Sequence, residues 1–374
     1  MIHDVLIVGG GIVGCAIAER LALGGLSVCL VERDCIGGGA TAASMGHLVV
    51  LDDDPAELAL SAWSCERWRI LADALPAGAD YRATGTLWVA RDGEEMEEAE
   101  RKQARLAGAG IASEMISAAT LARLEPALAE RLAGGLRVPS DAVVYPPVAA
   151  AWLARQAAAA GADILSGIAV RNLDPAGVVL ADGREVRADK VIIANGCAAP
   201  ELLPAVPIRK RKGHLLITTR GAPTVTHQLV ELGYIKSAHS TEGDSVAFNL
   251  QPRPTGQWLL GSTRQFDDTT TGVTPRLVSG LIERGKAFVP ALAAVSALRA
   301  WTGFRPTTPD HRPLIGAWPS RPGTWLACGH EGLGVTTALG TADLIAAQLL
   351  QTATPFDAEP FAPARFAAEY ENAA

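Results

Sequence analysis

The stretch Val5-Leu6-Ile7-Val8-Gly9-Gly10-Gly11-Ile12-Val13-Gly14 decides the fold of this 374-residue chain. Val5 to Val8 form a short apolar run, rich in β-branched residues, that reads as a fully buried strand. Gly9, Gly11 and Gly14 follow with GxGxxG spacing. In such a turn the first glycine permits the tight reversal and the second lets a pyrophosphate approach the backbone. The third lets helix and strand pack closely. Ile12 to Leu23 read as the helix, whose leading N–H groups would face the phosphates. Gly24 and Gly25 stop it, and Ser27 to Val31 supply a second strand ending at Glu32, placed to bind a ribose hydroxyl. A lone glycine triplet is a weak signal, because glycine-rich turns with no ligand are common. Strand, helix, strand and acid together predict dinucleotide binding.

The rest of the composition sets bounds. Hydrophobic residues make up 49% and charged residues 20%, the profile of an ordinary globular protein with ample core. The length allows two domains or one large intertwined pair. A net charge of −7 argues against a general nucleic-acid binder. Val5 to Val31 is apolar enough to suggest a membrane segment, but Glu19, Arg20 and the glycines interrupt it. With no signal-peptide pattern either, a cytoplasmic protein without a transmembrane segment is expected. Six cysteines (Cys15, Cys29, Cys35, Cys65, Cys197, Cys328) are scattered without a CxxC pair, so buried free thiols are expected and no metal site.

Further along, Gly37-Gly38-Gly39-Ala40-Thr41-Ala42-Ala43-Ser44 form a second glycine-rich stretch, followed by Met45-Gly46-His47. Such small residues let backbone pass close to a pyrophosphate, with Thr41 or Ser44 as hydroxyl donors; the plain alternative is a flexible loop. Pro55 to Ala74 read as a helix offering Leu58, Trp63 and Leu71 to a core. Tyr81 to Ala90 alternate as a strand, and Glu94 to Arg105 form a charged helix with a solvated face. Tyr145-Pro146-Pro147 opens an alanine-rich helix through Ala160. A meander follows through Ile168–Leu173, Val178–Leu180, an Asp182-Gly183 turn and Glu185-Val186, and then a separate buried strand, Val191–Ala194. Beyond Pro207 the pattern changes to strands and turns: Leu215–Thr219, Gly233–Ser237, Ser245–Leu250 and Trp258–Gly261. Residues 325–328 return as a strand, and an apolar helix runs from Val335 to Leu350. The expected layout is an α/β chain with an α+β substrate layer. A discontinuous Rossmann-like cofactor domain (1–80, 145–206 and 301–374) receives an inserted antiparallel-sheet substrate domain (81–144 and 207–300).

In order along the chain stand GGGIVG, VER at Val31 to Arg33, GGGATAAS, VIIANG at Val191 to Gly196, GFRPTTPDHRPLIG at Gly303 to Gly316, and GHEGLGVTTALG at Gly329 to Gly340. Together they resemble the D-amino-acid oxidase, glycine oxidase and sarcosine oxidase superfamily of FAD enzymes, over essentially the full length. MGHLV followed by DDDP, with the GHEGLGVTT ending, looks closest to one branch. That branch contains D-hydroxyproline dehydrogenases and the flavin subunits of opine oxidases and hydrogen cyanide synthase. The resemblance implies noncovalent FAD. It would be held by Gly9, Gly11, Ile12, Val13, Gly14, Glu32 and Arg33, and by Gly39, Ala40, Thr41, Ser44, Met45, Gly46 and His47. Val170, Ala194, Asn195, Gly196, Gly303 and Arg305 add contacts, as do His330, Glu331, Gly332, Leu333, Gly334, Val335 and Thr336. FAD is long, so contacts from the far C-terminus suit it better than a nicotinamide cofactor. The helix beginning near Gly334 would aim its positive dipole end at the flavin N1–C2 edge.

The resemblance also implies oxidation of a Cα–N bond, for which the chemistry belongs to the flavin and the protein supplies orientation. No catalytic side chain is required beyond the flavin. Arg305 matches the substrate-carboxylate arginine of glycine oxidase relatives, and a guanidinium can grip a carboxylate with two parallel hydrogen bonds. Its plain alternative is a structural arginine bridging strands. Glu331 stands where such relatives carry a further basic residue, and could meet a ring nitrogen or hydroxyl instead. His47 could hydrogen-bond substrate or flavin, or be a satisfied core histidine; His330 is similar. Tyr234 and Trp258 could wall a pocket or belong to the core, and His214 could face the substrate layer. The run Arg209-Lys210-Arg211-Lys212 reads as a solvated loop. Cys328 shows no match to a flavin-linking motif. The expected function is oxidation of a small amino acid, best matched by cis-4-hydroxy-D-proline dehydrogenation. A glycine or sarcosine-type oxidase making peroxide, or the flavin subunit of a hetero-oligomer with an iron–sulfur-bearing partner, are the alternatives. Electrons would leave to oxygen, a quinone, a carrier or a partner subunit.

Overall fold

The computed structural model describes residues 2–51, 54–221, 223–233, 243–266 and 268–366. The chain divides into two compact units, one of residues 1–81, 144–210 and 304–374, the other of 82–143 and 211–303. The first begins with β1 (Ile2–Val8), α1 (Ile12–Leu23) and β2 (Val28–Glu32). Then come α2 (Gly39–Ala43), the short β3 (His47–Leu48) and α3 (Pro55–Leu71). The chain next builds β4 (Thr86–Ala90), α4 (Gly93–Gly108), β5 (Glu114–Ser117), α5 (Ala118–Leu124), β6 (Gly134–Val138) and β7 (Ala142–Val143). It continues with α6 (Pro146–Ala159), β8 (Asp163–Ser166), β9 (Val170–Asp174), β10 (Gly177–Leu180), β11 (Glu185–Ile193) and α7 (Ala199–Leu202). After β12 (Arg209–Thr218), β13 (Gln228–Glu231), β14 (Ser245–Pro252), β15 (Trp258–Arg264), α8 (Pro275–Phe288) and β16 (Ala297–Thr307), it closes with β17 (Leu314–Ala317), β18 (Thr324–Cys328) and α9 (Gly334–Leu349).

The first sheet runs β17-β18-β11-β1-β2-β8, with β10 and β9 hung on β11. From β18 to β8 every neighbouring pair is parallel. Parallel strands covered on both faces need apolar side chains on both, which is why β1 reads as a continuous run. Leu6 and Val8 enter a core with Val31, Ile193, Leu326 and Phe366 on one face. Val5 and Ile7, which alternate with them, are buried too. Contacts join α1 to α6 and α9, and α9 to α3. Where α3 meets α9, Gly340 leaves no room: a Cβ there would lie 2.9 Å from Leu60 Cδ1, and its N–H donates to Ser64 Oγ at 3.0 Å. The core face of α3 is therefore Leu60, Ser61, Ser64 and Trp68, not the expected Leu58, Trp63 and Leu71. Trp63 instead stays 39% exposed and donates its indole N–H to Asp343.

The second sheet follows β16-β12-β15-β14-β13-β4-β6-β5. It is not wholly antiparallel, because β13 pairs with β4 in parallel. Those strands come from separate passages of the chain, so no hairpin obliges them to run opposite ways. Its core gathers Leu87, Leu216, Phe248, Trp258, Leu260 and Phe288, which makes Trp258 a core residue. Tyr234, and the strand expected from Gly233 except its first residue, lie outside the described residues.

Four further expectations change. Gly37–Ser44 is not simply a loop; Gly39–Ala43 close a helical turn. Glu185 to Ile193 form one strand where two were expected. The cationic run Arg209–Lys212 begins β12, and Arg211 and Lys212 are buried. Lys212 Nζ reaches Asp268 Oδ2 at 2.6 Å, and the Arg211 guanidinium lies over the Phe266 ring at 4.7 Å. The charged helix α4 likewise buries Glu95 and Lys102, the latter over Trp88 at 4.2 Å. Among the described residues, no helix is long and apolar enough to cross a membrane.

Candidate functional site

The site lies in the first unit, where the carboxyl ends of β1, β2, β11 and β18 lead into four loops. This is the end of an open parallel sheet where ligands bind. The glycines divide the work as their spacing implies. Gly9 adopts φ +112°, and a Cβ there would lie 2.7 Å from Ala194 O and Asn195 Cα. A Cβ on Gly14 would lie 2.0 Å from Gly9 O. Both positions are sealed by protein. Gly11 is different: the nearest heavy atom to its Cβ position is Thr41 Oγ1 at 3.4 Å. The space beside Gly11 is left open by the protein itself, as a passing phosphate requires.

Around that opening, α1 starts with no cap from its own N-cap residue, Gly11, and without an acid in its first turn. Ile12 N–H donates to Thr41 Oγ1 at 3.0 Å, which fixes the hydroxyl of the second glycine loop at the helix start. Ser44 Oγ donates to Thr41 O and closes that turn. At the end of β2, Glu32 accepts N–H groups from Gly10 at 2.7 Å and Asp34 at 2.9 Å. A carboxylate accepts about four hydrogen bonds, so capacity for a ribose remains. Arg33 is exposed and pairs with Asp34. Ile168 N–H donates to Glu32 O, which sets half-buried Val170 two residues beyond.

The C-terminal motif meets the same region. Gly46, at φ +79°, packs so closely that a Cβ would lie 1.9 Å from Val144 O. The next residue, His47, accepts from Thr336 Oγ1 at its carbonyl, tying it to the first turn of α9. That turn also has neither cap nor acid. Gly334 approaches His330 and Val13, with its Cβ position 3.6 and 4.0 Å away. Burial pushes both His47 and His330 down to about 4, so both are neutral at pH 7. His330 Nε2 shares a hydrogen bond with Thr341 Oγ1. His47 Nε2 and Asn195 Oδ1 are buried without a partner among the described residues. Buried orphans of this kind mark places where a polar ligand completes the bonding. An open glycine, two helix starts without an acid in the first turn and two orphaned polar atoms fit a long phosphate-bearing cofactor.

Arg305 lies on β16, half-buried, with Nε 3.4 Å and Cδ 3.5 Å from the Cβ position of Gly332. Glu331 N–H donates to Pro306 O at 2.9 Å, so the turn before α9 is bound to the strand carrying Arg305. Glu331 also meets His311, whose Nδ1 lies 3.0 Å from its Oε2. Gly303 shares the strand. His311 is not legible in the sequence: it lies within GFRPTTPDHRPLIG, but nothing in the spacing of that motif points across to Glu331. His214 is buried in the second unit, against Thr263 Oγ1 at 2.8 Å and accepting from Thr274 N–H at 3.0 Å. Cys328 is buried, and burial pushes its thiol up to about 12.

A sheet-end site of this construction is that of a dinucleotide-binding class of protein. The model of the FAD dependent oxidoreductase (DAO) family matches residues 4–348. The chain belongs to that family and is an FAD-dependent enzyme. It is 29% identical to glycine oxidase of Geobacillus kaustophilus (strain HTA426), over 97% of both chains. It is 26% identical to hydrogen cyanide synthase subunit HcnC of Pseudomonas aeruginosa, over 98% of this chain and 97% of that one. The crystal structure of the Geobacillus kaustophilus glycine oxidase is similar with a TM-score of 0.85, covering 96% of this chain and 98% of that one at 26% identity.

Proposed function

We propose that the chain oxidises the Cα–N bond of a small amino acid to the imine, with cis-4-hydroxy-D-proline as its substrate. The observation that carries the reading is Arg305, a half-buried guanidinium beside Gly332 and the start of α9. Its planar fork suits a substrate carboxylate. Glycine oxidase among the relatives supports an amino-acid donor. The ring substrate rests on the MGHLV and GHEGLGVTT stretches and on Glu331, an acceptor for a ring amine or hydroxyl near the arginine. A five-membered ring presents its Cα–H rigidly, so little entropy is lost in reaching a reactive pose.

In this reading the first unit holds noncovalent FAD and also carries Arg305 and Glu331. When bound, FAD supplies the acceptor for the hydride leaving Cα. The α1 start, Gly11 and Thr41 take the pyrophosphate, and Glu32 takes the ribose. His47, Asn195 and the first turn of α9 serve the ring end. Cys328, held as a thiol, has no thiolate to offer a flavin. Arg305 fixes the carboxylate, which leaves the amine end to be aimed by its neighbours.

The similarity to glycine oxidase favours a second reading, an oxidase that passes electrons to oxygen. HcnC is named as a subunit, which supports an assembly with partner chains. Anaerobic mixing separates the readings. Bleaching of the flavin should be faster with cis-4-hydroxy-D-proline than with D-proline, sarcosine or glycine. A site that binds the hydroxyl leaves buried polar groups unpaired when D-proline enters. Should glycine or sarcosine bleach fastest and peroxide accumulate in air, the oxidase reading replaces the first.

A further inference from the structure

Away from the cofactor site, a part-open cavity of about 50 Å³ lies between α1, α3 and α9. Its charged lining is Glu19 and Arg20 from α1, Arg67 from α3 and Asp343 from α9. Asp343 is the anchor. It accepts from Arg20 Nε at 2.7 Å and from Trp63 Nε1 at 2.9 Å, and Arg67 Nε approaches it at 3.3 Å. Both arginines therefore meet the acid through the inner nitrogen of the guanidinium. Among the described residues, the outer Nη groups of neither arginine have an acceptor. The two side chains are 42% and 41% exposed, so those outer groups are reachable from solvent. Two forks fixed at their inner nitrogens and open at their outer ones are set to receive an anion. A planar guanidinium grips a carboxylate with parallel hydrogen bonds.

The remaining wall is apolar. Ile70, Leu71 and Leu339 line the cavity, and Ile70 stays 58% exposed, so a ligand lying on it takes apolar surface out of water. Volume sets the size of that ligand. At about 10–15 Å³ for each water, the space holds about three to five waters, the bulk of a carboxylate with a tail of a few carbons. Glu19 opposes an anion here, but burial pushes its carboxyl up, against the pull of Arg20 and Arg67, and so favours its neutral form. A multiply charged anion without an apolar part, such as phosphate, suits neither the wall nor that acid. We propose that this cavity binds a small monocarboxylate with a short apolar tail. The Arg20 and Arg67 forks hold its carboxylate, and Ile70, Leu71 and Leu339 receive the tail. The site is separate from Arg305 and does not depend on the role given to that residue.

Butyrate is the probe, with butyramide as its uncharged match, acetate as its match without a tail, and phosphate as an anion with no apolar part. Titrations use FAD-loaded protein carrying Arg305→Ala, which removes the guanidinium beside Gly332, and flavin absorbance reports any binding at the cofactor. Line broadening of isotope-labelled butyrate should give a dissociation constant on the order of 1 mM, in keeping with so small a ligand. Acetate should bind more weakly, and Ile70→Ser should bring butyrate down towards acetate. Arg67→Ala should weaken butyrate by about tenfold, the scale of a lost charge-assisted hydrogen bond, while Asp343 keeps Arg20 and Trp63 as partners. Arg67→Lys should recover only part, because a point charge does not reproduce the fork. Glu19→Gln, which keeps the shape and removes the opposing charge, should tighten butyrate. Should Arg67→Ala fail to fold, Glu19→Gln and the comparison with acetate decide. The proposal is overturned if butyrate does not bind, if butyramide or phosphate binds as well, or if butyrate shifts the flavin spectrum. It is equally overturned by a folded Arg67→Ala variant with unchanged affinity, or by a Glu19→Gln variant that binds butyrate no better.

Discussion

Gly11 and Gly14 stand three residues apart in one motif, yet their surroundings predict opposite failures when each becomes alanine. At Gly14 the new Cβ would sit 2.0 Å from Gly9 O, so β1 and α1 would have to part. Overpacking of that kind costs about 1–3 kcal/mol or more, and the thermal midpoint of cofactor-free protein should fall. At Gly11 the nearest heavy atom is 3.4 Å away, and φ is −67°, which alanine adopts readily. Gly11→Ala should keep the cofactor-free midpoint while losing FAD. Equal midpoints for both variants, or full FAD occupancy in Gly11→Ala, would remove this division of labour. Glycine spacing was legible because backbone sterics are local and periodic. His311 was not: its meaning depends on a left-handed backbone and on a carboxylate twenty residues away across two loops. That His47 Nε2 and Asn195 Oδ1 are buried without a partner was not legible either, since an orphaned atom is a property of the packed structure.

Among the elements, α1, α3 and α9 meet at one acid. Asp343 on α9 accepts from Arg20 Nε of α1 at 2.7 Å and from Trp63 Nε1 of α3 at 2.9 Å, with Arg67 Nε of α3 at 3.3 Å. The carboxylate is 11% exposed, but the two arginines are about two-fifths exposed, at 42% and 41%. Solvent therefore screens much of the ion pairing, and Asp343→Ala should cost only about 1–2 kcal/mol. Asp343→Asn keeps a carbonyl for the Trp63 indole and should cost less. Thermal denaturation checks the ranking, and an alanine variant with the wild-type midpoint would show that α9 is held by apolar packing alone. The same acid explains an error of reading. Trp63 looked like core because it is large and apolar, whereas Leu60 and Trp68 carry the core face. Likewise Arg209–Lys212 read as solvated because charge runs usually are, while Asp268 and Phe266 supply partners far along the chain. Element existence followed from periodicity; the burial of polar residues followed from partners that periodicity cannot show.

For the whole molecule, protonation sets a two-stage response to acid. His47 and His330 are both pushed by burial from 6.5 to about 4. Near pH 7 they are neutral whether folded or unfolded and contribute no slope. Between about 6.5 and 4 the unfolded chain takes up protons that the folded chain refuses, so stability falls as pH falls through that window. Each such histidine contributes at most about 1.4 kcal/mol per pH unit there. The carboxylates act lower. Asp54, held down by Arg312 and the α3 N–H groups against the opposing effect of burial, belongs to this second stage. So do Asp310, held down by Arg365, and Glu125, held down by His227 and Thr226. Each contributes stability that is present above its ordinary value near 4 and lost as pH falls through its depressed one. Urea unfolding midpoints measured from pH 8 to pH 3 at constant FAD should therefore be flat above about 6.5, decline to about 4, and keep falling below it. His330→Asn should make the first decline shallower by about half, since His47 still contributes, and leave the second intact. A midpoint that stays level down to pH 4.5 in the wild-type protein would mean that neither histidine is held neutral by the fold.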